Sequence, residues 1–262
     1  MKAVNSMLKY FYALISSFYL FSLGVFSEKN RDLISTISFH FGFKKKPRGL
    51  TKPILPSIEI SELLPEPSPA FILEPIYRRG NMSLLEIVVM DQLIAALNPQ
   101  RLFEIGTFDG RTALNMAANC KPTAKVFTLD LPRAGLNHTQ FKLDPTELEM
   151  VEKDQSGERY RGTSLSHKIT QLYGDSAAFD FRPYFNTMDF VFIDASHAYE
   201  YVLNDSRQAS KLLKNGKGFI LWHDYGTFEG VTQALHELYS HEPPFKTLRH
   251  IKETQMAYLR VE

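Results

Sequence analysis

The chain of 262 residues has one cysteine, Cys120, and one tryptophan, Trp222. A single cysteine excludes an intrachain disulfide framework and a cysteine-rich metal site, and it fits a reducing compartment. Cys120 follows Ala117, Ala118 and Asn119, where it reads as a small residue near a helix end. Charge of one sign is lacking too: 30 Lys and Arg stand against 29 Asp and Glu, a net charge of +1. No global field points to nucleic acid or to an acidic polymer, and no basic–aromatic stripe supports nucleic-acid binding. Internal repeats are absent. What is present in quantity is apolar residue, 44 % of the chain, enough for one substantial α/β domain with an appendage.

Long hydrophobic runs are also scarce. The uncharged run at residues 10–26 has 17 residues, against about 20 for a spanning helix, and serines and tyrosines dilute it. It admits three readings: a membrane-associated helix, a helix covering the domain or a partner subunit in a homodimer, or an over-long start with Met7 as an alternative first residue. The expectation is a cytoplasmic domain, with membrane association through residues 1–26 or a dimer-associated helix there. If the segment spans, the basic run Lys44, Lys45, Lys46 and Arg48 would hold the next domain in the cytoplasm. Residues 27–78 read as a basic, proline-rich connector. Seven of the chain's 14 prolines fall between 47 and 75, which excludes regular helix and favours an extended chain. Ile58, Ile60, Leu63 and Leu64 argue that this connector lies on a surface.

The chemistry begins at residues 102–118, LFEIGTFDGRTALNMAA. An apolar strand runs into Glu104, then Gly106 and Gly110, then an apolar helical pattern. A glycine turn ahead of a helix offers free backbone N–H groups and room for close approach. The next strand, 125–129, runs into Asp130, whose carboxylate suits a ribose diol. The glycine spacing is not the GxGxxG of dinucleotide folds. Glu104 before the turn and Asp109 within it would repel a pyrophosphate and would suit a cationic amino-acid cofactor.

Upstream, residues 81–97 form an amphipathic helix, with Ser83 and Glu86 as a capping box and Pro99 as its stop. From 102 the pattern alternates. Strands are expected at 102–105, 125–129, 170–173, 190–193 and 218–222, and helices at 111–118, 202–213 and 230–239. Residues 245–251 and 255–261 read as a final antiparallel pair. The strands lack polar alternation, as when helices cover both faces. The interval 131–167 is long for an α/β connection. It reads either as surface decoration holding a crossover helix, with 147–153 helical, or as a lid or substrate wall.

The run from Glu104 to Thr112 resembles motif I of class I S-adenosylmethionine-dependent methyltransferases. A second stretch, 190–226, is more specific. A strand ends in Asp194, followed by Asp-x-x-His-x-Tyr, a helix, Gly-x-Gly, another strand and His223-Asp224-Tyr225. It resembles a methyltransferase subgroup that includes relatives of macrolide sugar O-methyltransferases, with similarity across residues 79–262. The resemblance implies a doubly wound, Rossmann-like, seven-stranded sheet with a terminal antiparallel hairpin. It implies S-adenosylmethionine held by Glu104, Gly106, Thr107, Gly110, Asp130, Asp175, Ser176 and Asp194. A helix cap is the alternative reading of Asp175 and Ser176.

Asp194, His197, His223 and Asp224 form the expected chemical cluster. In the similar catechol-type O-methyltransferases an acid at each of these two strand ends binds metal. Asp194 and Asp224, with His223 as a further ligand, are therefore the candidate Mg²⁺ site. The position of the catalytic lysine in those enzymes carries His197 here, suited to accept a proton. Their metal-binding Asn after the second acid is replaced by Tyr225, which argues against metal dependence. Tyr199, Tyr201, Tyr225 and Phe228 suggest an aromatic acceptor pocket, whereas Trp222 reads as core. The expected activity is methyl transfer to a small-molecule hydroxyl. N-methyl transfer, a non-catalytic S-adenosylmethionine-binding protein and an NAD-dependent oxidoreductase are the alternatives.

Overall fold

The computed structural model describes residues 2–27, 30–31, 34, 51–66, 68–143 and 147–262. The chain divides into two units, Met1–Leu50 and Thr51–Glu262. In the first, α1 (Lys2–Phe21) is followed by a short 3₁₀ turn, Leu23–Phe26. Among the described residues no helix is long and apolar enough to cross a membrane. The uncharged run starts only at Tyr10; the first half of α1 carries Lys2, Asn5, Ser6 and Lys9, and each polar residue is costly in a hydrocarbon core. The expectation of membrane association through residues 1–26, and of a location set by it, is corrected accordingly. The basic run at 44–48 lies outside the described residues.

The second unit is built on one sheet. Its strands are β1 (Ser57–Ile58), β2 (Arg101–Ile105), β3 (Lys125–Asp130), β4 (Ile169–Tyr173), β5 (Phe190–Ile193), β6 (Gly218–Trp222), β7 (Arg249–Ile251) and β8 (Ala257–Val261). They lie in the order β1-β7-β8-β6-β5-β2-β3-β4. β4, β3, β2, β5 and β6 are parallel, and β8 runs antiparallel to β6 and β7. This is the expected doubly wound, Rossmann-like α/β sheet with its antiparallel terminal hairpin. An eighth strand, the two residues of β1 from the proline-rich stretch, adds to the β7 edge.

Strand pleating explains which residues meet which layer. Phe103, Ile105, Val191, Ile193, Ile220 and Trp222 pack on one face with α6 (Tyr199–Leu212) and α7 (Glu229–His241). Leu102, Phe190, Phe192, Phe219 and Leu221 pack on the other with α3 (Leu84–Leu97) and α4 (Arg111–Asn119). Successive residues thus point to opposite faces, and both faces are apolar because both are covered. Among the described residues of this unit, the other α-helices are one-turn pieces, α2 (Ile60–Leu63) and α5 (Leu148–Val151). α3 begins at the expected capping box: Ser83 Oγ accepts the Glu86 N–H, and Glu86 Oε2 accepts the Ser83 N–H at 2.8 Å.

Gly106 and Gly110 are required by geometry. Gly106 has φ +104°, and a Cβ there would fall 2.1 Å from the Asp194 carbonyl oxygen. The turn after β2 therefore passes directly against the end of β5. Gly110 is the left-handed residue that opens α4, and a Cβ on it would meet Gly157 and Tyr160 at 2.7 Å.

Candidate active site

The carboxyl ends of the parallel strands enclose a cavity of ≈ 610 Å³. This is where open α/β sheets place their ligands. Gly106 after β2, Asp130 at the end of β3, Asp175 and Ser176 after β4, Asp194 and His197 after β5, and His223 and Asp224 after β6 all line it. Three of the expected cofactor residues do not: Glu104, Thr107 and Gly110 are buried behind it. Glu104 points into the α3 and α4 face, where the Thr128 hydroxyl donates to its Oε2 and its Oε1 has no hydrogen-bond partner. Burial, aided by Asp194 and Asp130, pushes this carboxyl well above the usual carboxylate range. Thr107 Oγ1 bonds Thr128 Oγ1 at 2.6 Å and accepts from Gln171 Nε2 at 2.9 Å.

Asp130 Oδ2 lies 2.8 Å from Lys153 Nζ, and both side chains are largely withdrawn from solvent. No helix directly follows Asp175, so it is not a helix cap: its Oδ1 closes a turn by accepting the Ala177 N–H at 3.0 Å, and its Oδ2 accepts the Gln140 N–H.

The cluster is a chain of alternating acids and imidazoles. Glu147 Oε1 lies 3.1 Å from His197 Nδ1, and His197 Nε2 lies 2.8 Å from Asp224 Oδ2. His223 Nδ1 stands 3.3 Å from the same Asp224 oxygen and 3.2 Å from Asp194 Oδ1. Glu86 Oε2 closes the far end, 3.3 Å from His223 Nε2. Phe228 stacks on the His197 ring, centroids 3.7 Å apart. Asp224 itself has φ +65°, a left-handed conformation that non-glycine residues adopt mainly where the surroundings enforce it.

The electrostatics follow from these contacts. Burial opposes charge on His197, but the carboxylates of Asp224 and Glu147 hold its pKa up at about 10. His223 is raised well above its ordinary value in the same way, against burial, by Asp194 and Asp224. Burial would raise Glu86, yet His223 and the Gln255 N–H keep it at about 2. Asp224 is likewise held below the carboxylate range, against burial, by His223 and His197.

Four carboxylates (Glu86, Glu147, Asp194 and Asp224) thus face two imidazoles. Even with both rings charged, negative charge is in excess, which fits a cationic ligand. Asp194, His223 and Asp224 can present ligand atoms within 4.8 Å of one another. Two carboxylate oxygens with open positions for water and substrate suit Mg²⁺; the imidazole is the softer third donor. Tyr225 cannot join them. Its hydroxyl is turned away to accept the Leu55 and Ile54 N–H groups, each at 3.0 Å.

Of the expected aromatic pocket, only Tyr201 and Phe228 line the cavity. Tyr199 donates its hydroxyl to Glu237, and Trp222 is core, with Nε1 donating to Ser206 Oγ at 2.9 Å. The 131–167 interval supplies a wall through Leu131, Leu143, Glu147, Met150, Val151 and Lys153. Glu86, Glu147 and Lys153 are the site residues that sequence reasoning missed. Glu86 had one signal, the capping box, which revealed its backbone role alone.

Residues 103–225 match the family model described as a methyltransferase domain. Over this span, just under half of the chain, the sequence is similar to a methyltransferase domain. No curated protein shows a significant sequence match. Among solved structures, the O-methyltransferase TomG from Streptomyces achromogenes, involved in tomaymycin synthesis, is 16 % identical, with TM-score 0.46 and coverage of 70 % of this chain and 82 % of that one. A putative O-methyltransferase from Klebsiella pneumoniae is 14 % identical, with TM-score 0.48 and coverage of 71 % and 83 %. An O-methyltransferase from Bacillus cereus is 15 % identical, with TM-score 0.47 and coverage of 70 % and 84 %. The fold is defined by strand order and register.

Proposed function

We propose that the chain transfers the methyl group of S-adenosylmethionine to a hydroxyl of a small-molecule acceptor. The observation that carries this reading is the continuity of one cavity. The carboxylate suited to a ribose, Asp130, and the acid–imidazole cluster line the same space. Asp130 accepts the ribose hydroxyls, Asp175 and Ser176 meet the adenine, and Gly106 leaves room for the chain beside Asp194. Glu104, Thr107 and Gly110 support the turn from behind.

Methyl transfer needs the acceptor's lone pair aligned behind the sulfonium carbon. The oxygen–carbon bond forms as the carbon–sulfur bond breaks, sulfur keeps the electron pair, and the hydroxyl proton must leave. His197 is the group placed to take it. At rest both its nitrogens face carboxylates and the ring is charged. To accept a proton the ring must first release one to solvent, which neutralising the Asp224 charge favours by lowering the ring's hold on it. Asp194 and Asp224, with His223, would hold a divalent ion, which supplies Lewis acidity toward the acceptor hydroxyl. Incubation of the full chain with methyl-labelled S-adenosylmethionine and a metabolite extract, followed by product identification, tests the reading. Label on oxygen is expected; label on nitrogen would replace the acceptor class.

A further inference from the structure

We propose that Glu147 is a positioning residue for His197, carried to the site by the 131–167 segment, whose seating on the sheet completes the reactive cluster. The proposal rests on the methyl-transfer reading above. Glu147 is buried, though it comes from a connection rather than from the sheet. Its Oε1 accepts the backbone N–H of His197 and also faces that residue's Nδ1 at 3.1 Å. Its Oε2 accepts the Ser196 hydroxyl at 2.8 Å, and Ser196 Oγ in turn accepts the Ala198 N–H at 3.2 Å. One carboxylate therefore fixes the main chain after β5, the adjoining turn and the imidazole together.

The rest of the ring is held from the sheet side, by Asp224 on Nε2 and by Phe228 on its face. Among the described residues, Glu147 is the group set against the Nδ1 edge. Without it the ring keeps only its ion-pair contact to Asp224 and can turn about its side-chain torsions. The segment is tied down near this point by three further contacts. Lys153 reaches Asp130, and the N–H groups of Gly157 and Arg159 donate to the carbonyls of Phe108 and Asp109, each at 2.9 Å. The same segment thus touches the strand end suited to the cofactor, the glycine turn and the proton acceptor.

Hydrogen exchange and steady-state kinetics on full-length wild type, E147A and E147Q test this. In E147A, exchange of the His197 amide should rise about tenfold, the effect of losing one hydrogen bond. kcat should fall about 100-fold, the cost of a misplaced group, while affinity for S-adenosylhomocysteine stays within about twofold of wild type, since Glu147 is not placed on the cofactor. E147Q keeps an acceptor oxygen and should restore both the amide protection and most of kcat. Wild-type kcat in E147A overturns the proposal, as does unchanged exchange at His197. E147Q that is protected yet as slow as E147A also overturns it, because charge and not position would then be the contribution. If wild type itself transfers no methyl group, the functional reading fails, and the exchange result alone decides whether Glu147 holds His197.

Discussion

Lys153 and Asp130 meet at 2.8 Å across the end of β3, joining the long 131–167 connection to the carboxylate suited to a ribose. Asp130→Ala removes both this ion pair and the proposed ribose acceptor. Affinity for S-adenosylmethionine or its demethylated product should fall by about 1–3 kcal/mol, the range for hydrogen bonds to a charged group. Calorimetry on the purified chain reads this directly. Unchanged affinity, or binding of NAD in its place, would contradict the cofactor placement.

His197→Ala should lower turnover by about 10²–10⁴-fold, the usual contribution of a proton-transfer group, with cofactor affinity little changed. Asp194→Asn and Asp224→Asn should reduce activity and abolish any stimulation by Mg²⁺. Steady-state rates before and after thorough chelation separate the two roles. Full activity after chelation removes the metal and leaves His197 in place.

The acids at the ends of β5 and β6 were legible because an apolar run stopping at Asp194 or Asp224 is a local pattern. The Ser83–Glu86 cap was legible for the same reason. The second use of Glu86, toward His223, joins residues 137 apart in sequence, and no local pattern carries such a contact. Glu147 is similar: it sits in a polar stretch and reaches Ser196, 49 residues on. The motif string does not show which of its side chains face the cavity, and Glu104 and Thr107 do not line it. The pleat of β2 turns Glu104 into the α3 and α4 layer. The membrane expectation came from composition alone, and it gave way once α1 was seen to begin among polar residues at Lys2.

Asp91, in α3, is buried with neither carboxylate oxygen hydrogen-bonded. Burial pushes its pKa up to about 8, with Arg111 and Asn119 opposing only in part. The folded chain therefore binds this proton more tightly than the unfolded chain, whose Asp titrates near 3.9. The associated stability is fully present below about pH 4 and is lost as pH rises toward 8. Asp91→Asn should flatten that decline, with a urea midpoint above wild type at pH 8 and nearer to it at pH 5. Parallel midpoints across this range would contradict the assignment.

Gly106→Ala places a Cβ 2.1 Å from the Asp194 carbonyl at φ +104°. The backbone conformation alone costs about 1–3 kcal/mol, and the overlap adds to it. A lower urea midpoint with weakened cofactor binding is expected, because the turn and the end of β5 must separate. A wild-type midpoint would show that the turn can move away freely.

The central claim is that one cavity joins an S-adenosylmethionine site to a proton acceptor for a small hydroxylated molecule. Its most direct test is transfer of labelled methyl from S-adenosylmethionine into a metabolite extract, run side by side with wild type and His197→Ala, with and without Mg²⁺. The account predicts an O-methylated product from wild type and at least about 100-fold less from His197→Ala. No labelled product from wild type under either condition, or equal product from both proteins, would contradict it.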